Sequence, residues 1–138
     1  MSHCVFCAII AGRAESSVVY QDEQVMAFMD IRPWTPGHLL VIPRRHASGL
    51  ADLDPADGAA VFSAGQRIAT TLRSGSMRAE GVNLFLADGV AAGQEVFHVH
   101  LHVVPRATGD GFGLRGAPSS PSRIALDQTA GVIRSSLT

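Results

Sequence analysis

The chain has 138 residues, 46% hydrophobic and 17% charged, with a formal net charge of −1 at pH 7. That length builds one domain with an ordinary core, and the near-neutral balance excludes a protein whose main business is coating nucleic acid or an anionic membrane. All eleven basic residues are arginine, so every lysine-based mechanism is excluded and the reactive potential near neutral pH falls on six histidines.

At the N-terminus, Met1-Ser2-His3-Cys4 lacks the charged and apolar regions of a signal peptide. No apolar run further on approaches the ~18–20 residues of a membrane span. Cys4 and Cys7, in a chain without an export signal, make a poor structural disulfide, and a cytoplasmic protein is expected. Residues 5–12 carry apolar Val5, Phe6, Ile9 and Ile10 at helical spacing and stop at Gly12, which predicts a short helix. Ser17–Tyr20 and Gln24–Met29 read as a β-hairpin around a polar turn, and Arg32 to Gly37, with two prolines and a glycine, is a loop. His38–Ile42 is a central strand closed by Pro43.

The main helix is predicted from Pro55 to Arg73, with Asp54 as N-cap and Val61, Phe62, Gly65, Ile68, Ala69 and Leu72 as its apolar stripe. Val82–Leu86 is a further strand, Asp88–Gly93 a turn, and Val96–Val104 a long strand stopped by Pro105. From Ala107 to Ser122 the composition turns to Gly, Pro and Ser, which predicts a mobile stretch, followed by a short helix at Arg123–Ser135. The pattern is α+β: one antiparallel sheet of about five strands with the main helix on one face and no second domain.

Phe97-His98-Val99-His100-Leu101-His102-Val103-Val104 is the most informative segment. On a strand, His98, His100 and His102 share one face, with same-face neighbours ~6.5–7 Å apart, so adjacent imidazoles can share one ligand or phosphate. A solvated polar face is the bland reading. Two sharper ones are a metal site with an open position for water, and an imidazole nucleophile at phosphorus with its neighbours on the phosphoryl oxygens. The small-residue turn Gly89 to Glu95 lets backbone amides converge on an anion, which favours the phosphate reading. Cys4-x-x-Cys7 reads by itself as a zinc half-site, a redox pair or coincidence; the thioredoxin-like context that the redox reading prefers is missing.

Taken in order, Cys4-Val5-Phe6-Cys7-Ala8-Ile9-Ile10 with Gly12, Asp30-Ile31-Arg32-Pro33, Pro36 to Pro43, Ala91-Ala92-Gly93-Gln94 and the histidine run resemble the histidine triad family of nucleotide hydrolases and transferases. The resemblance covers roughly residues 4–106 and implies a HIT-like domain over 1–106, with 107–138 as a Gly/Pro/Ser-rich C-terminal extension. It also implies a homodimer with one continuous sheet, and a purine nucleotide such as AMP or an AMP conjugate as ligand. His100 would attack the α-phosphorus to form a nucleotidyl-histidine that water hydrolyses, with His102 on phosphoryl oxygens and no catalytic metal. Asp30 would accept from ribose hydroxyls, Ile31 would pack near base or sugar, His38 would line the site, and Gln94 and Glu95 would border the phosphate. Members carrying the N-terminal CxxC imply one structural zinc per chain on Cys4, Cys7, His46 and His98.

One departure concerns Ala87, where many relatives carry Asn or Gln before the Asp/Asn-Gly turn. Losing that amide costs on the order of 10²-fold in rate. The candidate substrates are nucleotide phosphoramidates, acyl-nucleotides and dinucleoside polyphosphates. The competing expectations are a nucleotide-binding sensor with little catalysis, motivated by Ala87, and a hydrolase with zinc in the triad.

Overall fold

A computed structural model describes residues 3–137. Helix α1 (Val5–Ile10) begins at Cys4, whose sulfur accepts from the Cys7 amide, and buries Phe6 and Ile9. Strands β1 (Val18–Gln21) and β2 (Val25–Met29) form an antiparallel hairpin, its turn shaped by Asp22, whose carboxylate accepts from the amides of Gln24 and Val25. Then come β3 (Leu39–Pro43), α2 (Pro55–Ser74), β4 (Gly81–Leu86), β5 (Leu101–Arg106) and α3 (Arg123–Ser136). The five strands make one antiparallel sheet in the order β1-β2-β3-β5-β4. Among the described residues no helix is long and apolar enough to cross a membrane.

The period-2 alternation of side chains sorts the core into two layers. Val25, Ala27, Leu39, Val41, Leu101 and Val103 face α2 and pack on Val61, Ala64 and Leu72. Helix α2 lies close to β5 because position 65 is glycine; a Cβ there would come within 2.7 Å of a Leu101 methyl. The opposite parity, Met26, Phe28, Leu40 and Ile42, packs on Phe6 and Ile9 of α1. His102 pairs with Leu40 across the β3–β5 ladder, so it belongs to this second face. The main helix thus covers one side of the sheet and the triad opens on the other.

Three expectations about the strands and the main helix are corrected. Strand β5 starts at Leu101, not Val96, so His98 and His100 precede it. Pro43 ends β3 without an N–H to offer, its carbonyl is taken by the His98 ring at 2.8 Å, and the Val99 amide turns to Ala47 O. Pro105 does not stop β5, which runs on to Arg106. Its carbonyl accepts from Thr35 Oγ1 at 2.7 Å; a residue's N–H and C=O leave a strand on the same side, so the missing N–H falls beyond the residues that pair with β3. Phe62 is 57% exposed and lies off the packed stripe of α2, which runs through Val61, Ala64, Gly65 and Leu72 instead.

Ser122 caps α3, and none of the helix residues is buried. Residues 107–112, read as mobile, are a fixed turn: Asp110 is paired with Arg106 and accepts from the amides of Ala107 and Phe112. Residues 113–122 are largely exposed and carry almost no regular structure.

Candidate active site and metal centre

The sequence brings Cys4, Cys7, His46 and His98 together from the start of α1, the loop after β3 and the segment before β5; one ligand atom of each lies within 4.8 Å of the others. His98 Nδ1 is 3.4 Å from Cys4 Sγ, 3.6 Å from Cys7 Sγ and 3.2 Å from His46 Nδ1, and His46 Nδ1 is 3.3 Å from Cys7 Sγ. Around a tetrahedral zinc the spacings are about 3.3 Å for two nitrogens and about 3.6 Å for nitrogen and sulfur. The four groups therefore fit that ion. His98 is fully buried and donates its Nε2–H to the Pro43 carbonyl, which leaves Nδ1 with a bare lone pair aimed into the cluster. Burial and the neighbouring Cys4 push the Cys7 thiol up, so a thiolate here needs a cation beside it.

A second group joins Asp30, His38 and His102. The Trp34 amide donates to His38 Nδ1 at 3.0 Å, so neutral His38 carries its proton on Nε2 and donates it to His102 Nδ1 at 2.9 Å. That spacing is a hydrogen bond, shorter than about 3.3 Å for two nitrogens on one tetrahedral zinc. His102 then carries its own proton on Nε2. Burial pushes both rings down, His102 to about 4, so the relay is neutral at physiological pH. Asp30 Oδ2 lies 3.6 Å from His38 Nε2, and its other oxygen accepts from the Arg32 amide.

His100 donates from Nδ1 to the His98 carbonyl at 2.8 Å, which leaves its Nε2 unprotonated. The edge of Phe6 meets this ring at a centroid distance of 5.2 Å, and His102 lies 5.0 Å away at 65°. Both histidines open into a cavity of about 830 Å³, lined also by Val5, Phe6, Ile9, Phe28, Asp30, Ile31, Trp34, Ala87 and Glu95. The cavity combines a largely apolar wall with a bare imidazole nitrogen and an imidazole N–H, which suits a ligand with an apolar ring and an anionic group.

Of the residues singled out in the sequence, Asp30, Ile31, Glu95, His100 and His102 border the cavity, with Ile31 91% exposed at its rim. His38 is fully buried behind His102 rather than in the lining. Gln94 is turned inward: its amide donates to the carbonyls of Ser48 and Val96 and its oxygen accepts from the Gly89 amide. The turn it closes also spends the amides of Ala92, Gly93 and Gln94 on its own carbonyls, which leaves fewer of them for an anion than the glycine count implies. Sequence reasoning missed Phe6 and Trp34. Each had a signal: Phe6 lies between the two cysteines, and Trp34 is the single tryptophan, placed in a loop that no core argument requires.

The HIT domain family model matches residues 11–109. The chain is 49% identical over 107 residues to a HIT-like protein of Mycobacterium tuberculosis, covering 78% of this chain and 74% of that one. It superposes at TM-score 0.79 and 43% identity on a zinc-bound histidine triad family protein from Mycobacterium smegmatis, over 95% of this chain and 98% of that one. A histidine triad nucleotide-binding protein from Candida albicans superposes at TM-score 0.86 and 25% identity, over 97% and 96%.

Proposed function

The chain belongs to the HIT domain family, and from that premise we propose that it is a nucleoside-monophosphate hydrolase or transferase acting through His100. The observation that carries this reading is the opposed protonation of two neighbouring rings. His100 presents a bare Nε2 because its Nδ1–H is spent on the His98 carbonyl, while His102 presents an Nε2–H because its Nδ1 accepts from His38. The first is a nucleophile and the second a donor to a phosphoryl oxygen. In the proposed reaction His100 Nε2 bonds to the α-phosphorus of an AMP conjugate as the bond from phosphorus to the leaving group breaks. Water then cleaves the N–P bond, releasing the nucleoside monophosphate and restoring the imidazole.

Asp30 and Ile31 are proposed on the ribose side and Glu95 beside the phosphate, with Gln94 and His38 acting from behind through the turn and through His102. Cys4, Cys7, His46 and His98 are proposed to hold one structural zinc per chain. The bound ion supplies a cross-link between α1 and the sheet. Support comes from the donor spacing and from the zinc-bound relative, and the nucleotide-binding relative supports the ligand class. Two copies are proposed to join along β4, which among the described residues pairs only with β5 and so leaves one edge open. A cytoplasmic setting is proposed as well, since Cys4 and Cys7 form no disulfide.

The test is to mix the protein with an adenosine phosphoramidate, quench, and look for adenylylated His100 by mass spectrometry. The wild type is expected to form the adduct and turn over; His100→Ala and His100→Asn are expected to do neither while remaining folded. Unchanged turnover in these variants overturns the mechanism. Ala87, which lines the cavity without a polar group, favours one second reading, a nucleotide sensor. Tight AMP binding by the wild type with no adduct would select it.

A further inference from the structure

The segment after β5 carries a pattern with no part in the reaction just described: Arg106-Ala107-Thr108-Gly109-Asp110-Gly111-Phe112. Asp110 sits between two glycines at φ 77° and 76°, a left-handed backbone that other residues rarely adopt. Its carboxylate accepts twice from the Arg106 guanidinium, each at 2.8 Å, and from the amides of Ala107 and Phe112. The same guanidinium bonds the Phe112 carbonyl and Asn83 Oδ1, and lies 4.8 Å from the centre of the Phe112 ring. So many bonds on a surface turn place one side chain.

That side chain stacks on Trp34 at a centroid distance of 5.1 Å and 18° between planes. Trp34 in turn stacks on His102 at 4.8 Å and 18°, and on His38 at 4.7 Å and 29°. Among the described residues the rings of Phe112 and the two imidazoles are linked through the indole that each of them stacks on. An imidazole's χ2 is a soft torsion, so one hydrogen bond to His38 leaves the His102 plane free to rock. The stacked indole removes that freedom, and the strap at 106–112 holds the indole down.

We propose that Trp34 and Phe112 are positioning residues that fix the ring plane and tautomer of His102, making the first turn of the C-terminal extension part of the active site. The proposal rests on the hydrolase reading for its kinetic effect, but its structural claim stands without substrate. The decisive variants are Phe112→Ala and Trp34→Ala, with Phe112→Tyr and Trp34→Phe as conservative partners. Two measurements are needed: steady-state turnover of an adenosine phosphoramidate, and long-range ¹H–¹⁵N spectra of the imidazoles.

Both alanine variants are expected to lose about 10-fold in kcat, because misplacement of a catalytic group acts on the chemical step; KM is expected to change less than about 2-fold in Phe112→Ala, whereas Trp34→Ala also removes part of the cavity wall and raises KM. The conservative variants are expected to recover most of the loss. In the alanine variants the His102 signals are expected to shift from the pure Nε2–H tautomer toward a mixture. Unaltered kcat in Phe112→Ala, or a loss carried by KM with the His102 spectrum unchanged, overturns the proposal. If wild-type protein has no turnover but the His102 signals still move in Phe112→Ala, the positioning role stands and the hydrolase reading is what fails.

Discussion

His102 is held by a hydrogen bond at Nδ1, a stacked indole on its face and the edge of His100, and every one of these contacts is made with a neutral ring. Protonating it would set two N–H groups against each other across the 2.9 Å contact with His38. Its folded value of about 4 lies below the ordinary 6.5, and burial lowers His38 in the same direction. The unfolded chain therefore binds protons that the folded one refuses between about pH 6.5 and 4. The stabilisation is fully present above that window and is lost as pH falls through it, so the melting temperature is expected to decline steadily on acidification. His38→Phe is expected to flatten the decline, and calorimetry across the window checks it; an equally steep decline in that variant would place the effect elsewhere. The histidines themselves were legible, because alternation and residue type announce chemistry in advance. The direction of each proton was not, since it depends on the Trp34 amide and the His98 carbonyl, which only the folded backbone brings into reach.

Helix α1 is six residues long, too short to persist in water without tertiary support, yet Val5, Phe6 and Ile9 form one wall of the cavity and Phe6 touches the His100 ring. Burial of Phe6 and Ile9 holds it to the sheet, and the proposed zinc on the cluster at its first turn, with Cys4 as N-cap and Cys7 one turn on, would add a second anchor. If the zinc is bound as proposed, removing it is expected to act on the wall as well as on stability. A Cys7→Ser variant, or chelated wild type, is expected to lose zinc by elemental analysis, melt at lower temperature, and show KM for the nucleotide conjugate raised more than kcat is lowered. An immediate collapse of kcat with the melting temperature unchanged would instead support zinc in the triad. At this scale the helices, the hairpin and four of the strand positions followed from periodicity and capping residues. The start of β5 did not: a run of alternating residues reads as strand to its first histidine, and nothing local shows that a proline carbonyl will be claimed by a side chain.

The whole molecule divides at a different place from the change in composition. Glycine, proline and serine become dense after Arg106, but the bonds of Arg106 and Asp110 carry the body of the fold on to Phe112, and only then does the chain leave it. Beyond that point lie exposed residues and α3, whose Ile124, Val132 and Ile133, with Leu137 just past its end, are all more than half exposed. A chain ending after Gly116 keeps every contact that the sheet, α1, α2 and the strap make with one another. It is expected to retain the melting temperature and kcat of the full protomer. A chain ending after Ala107 loses Asp110 and Phe112 together, frees the Arg106 guanidinium and uncovers Trp34. It is expected to fall about 10-fold in kcat, alongside Phe112→Ala, because the same misplaced ring limits both. Sedimentation of the three chains adds a separate reading. If joining along β4 makes the dimer, all three sediment at twice their own mass, since β4 is intact in each. A monomer on truncation after Gly116 would mean that α3, none of whose residues is buried in its own protomer, holds the two copies together instead.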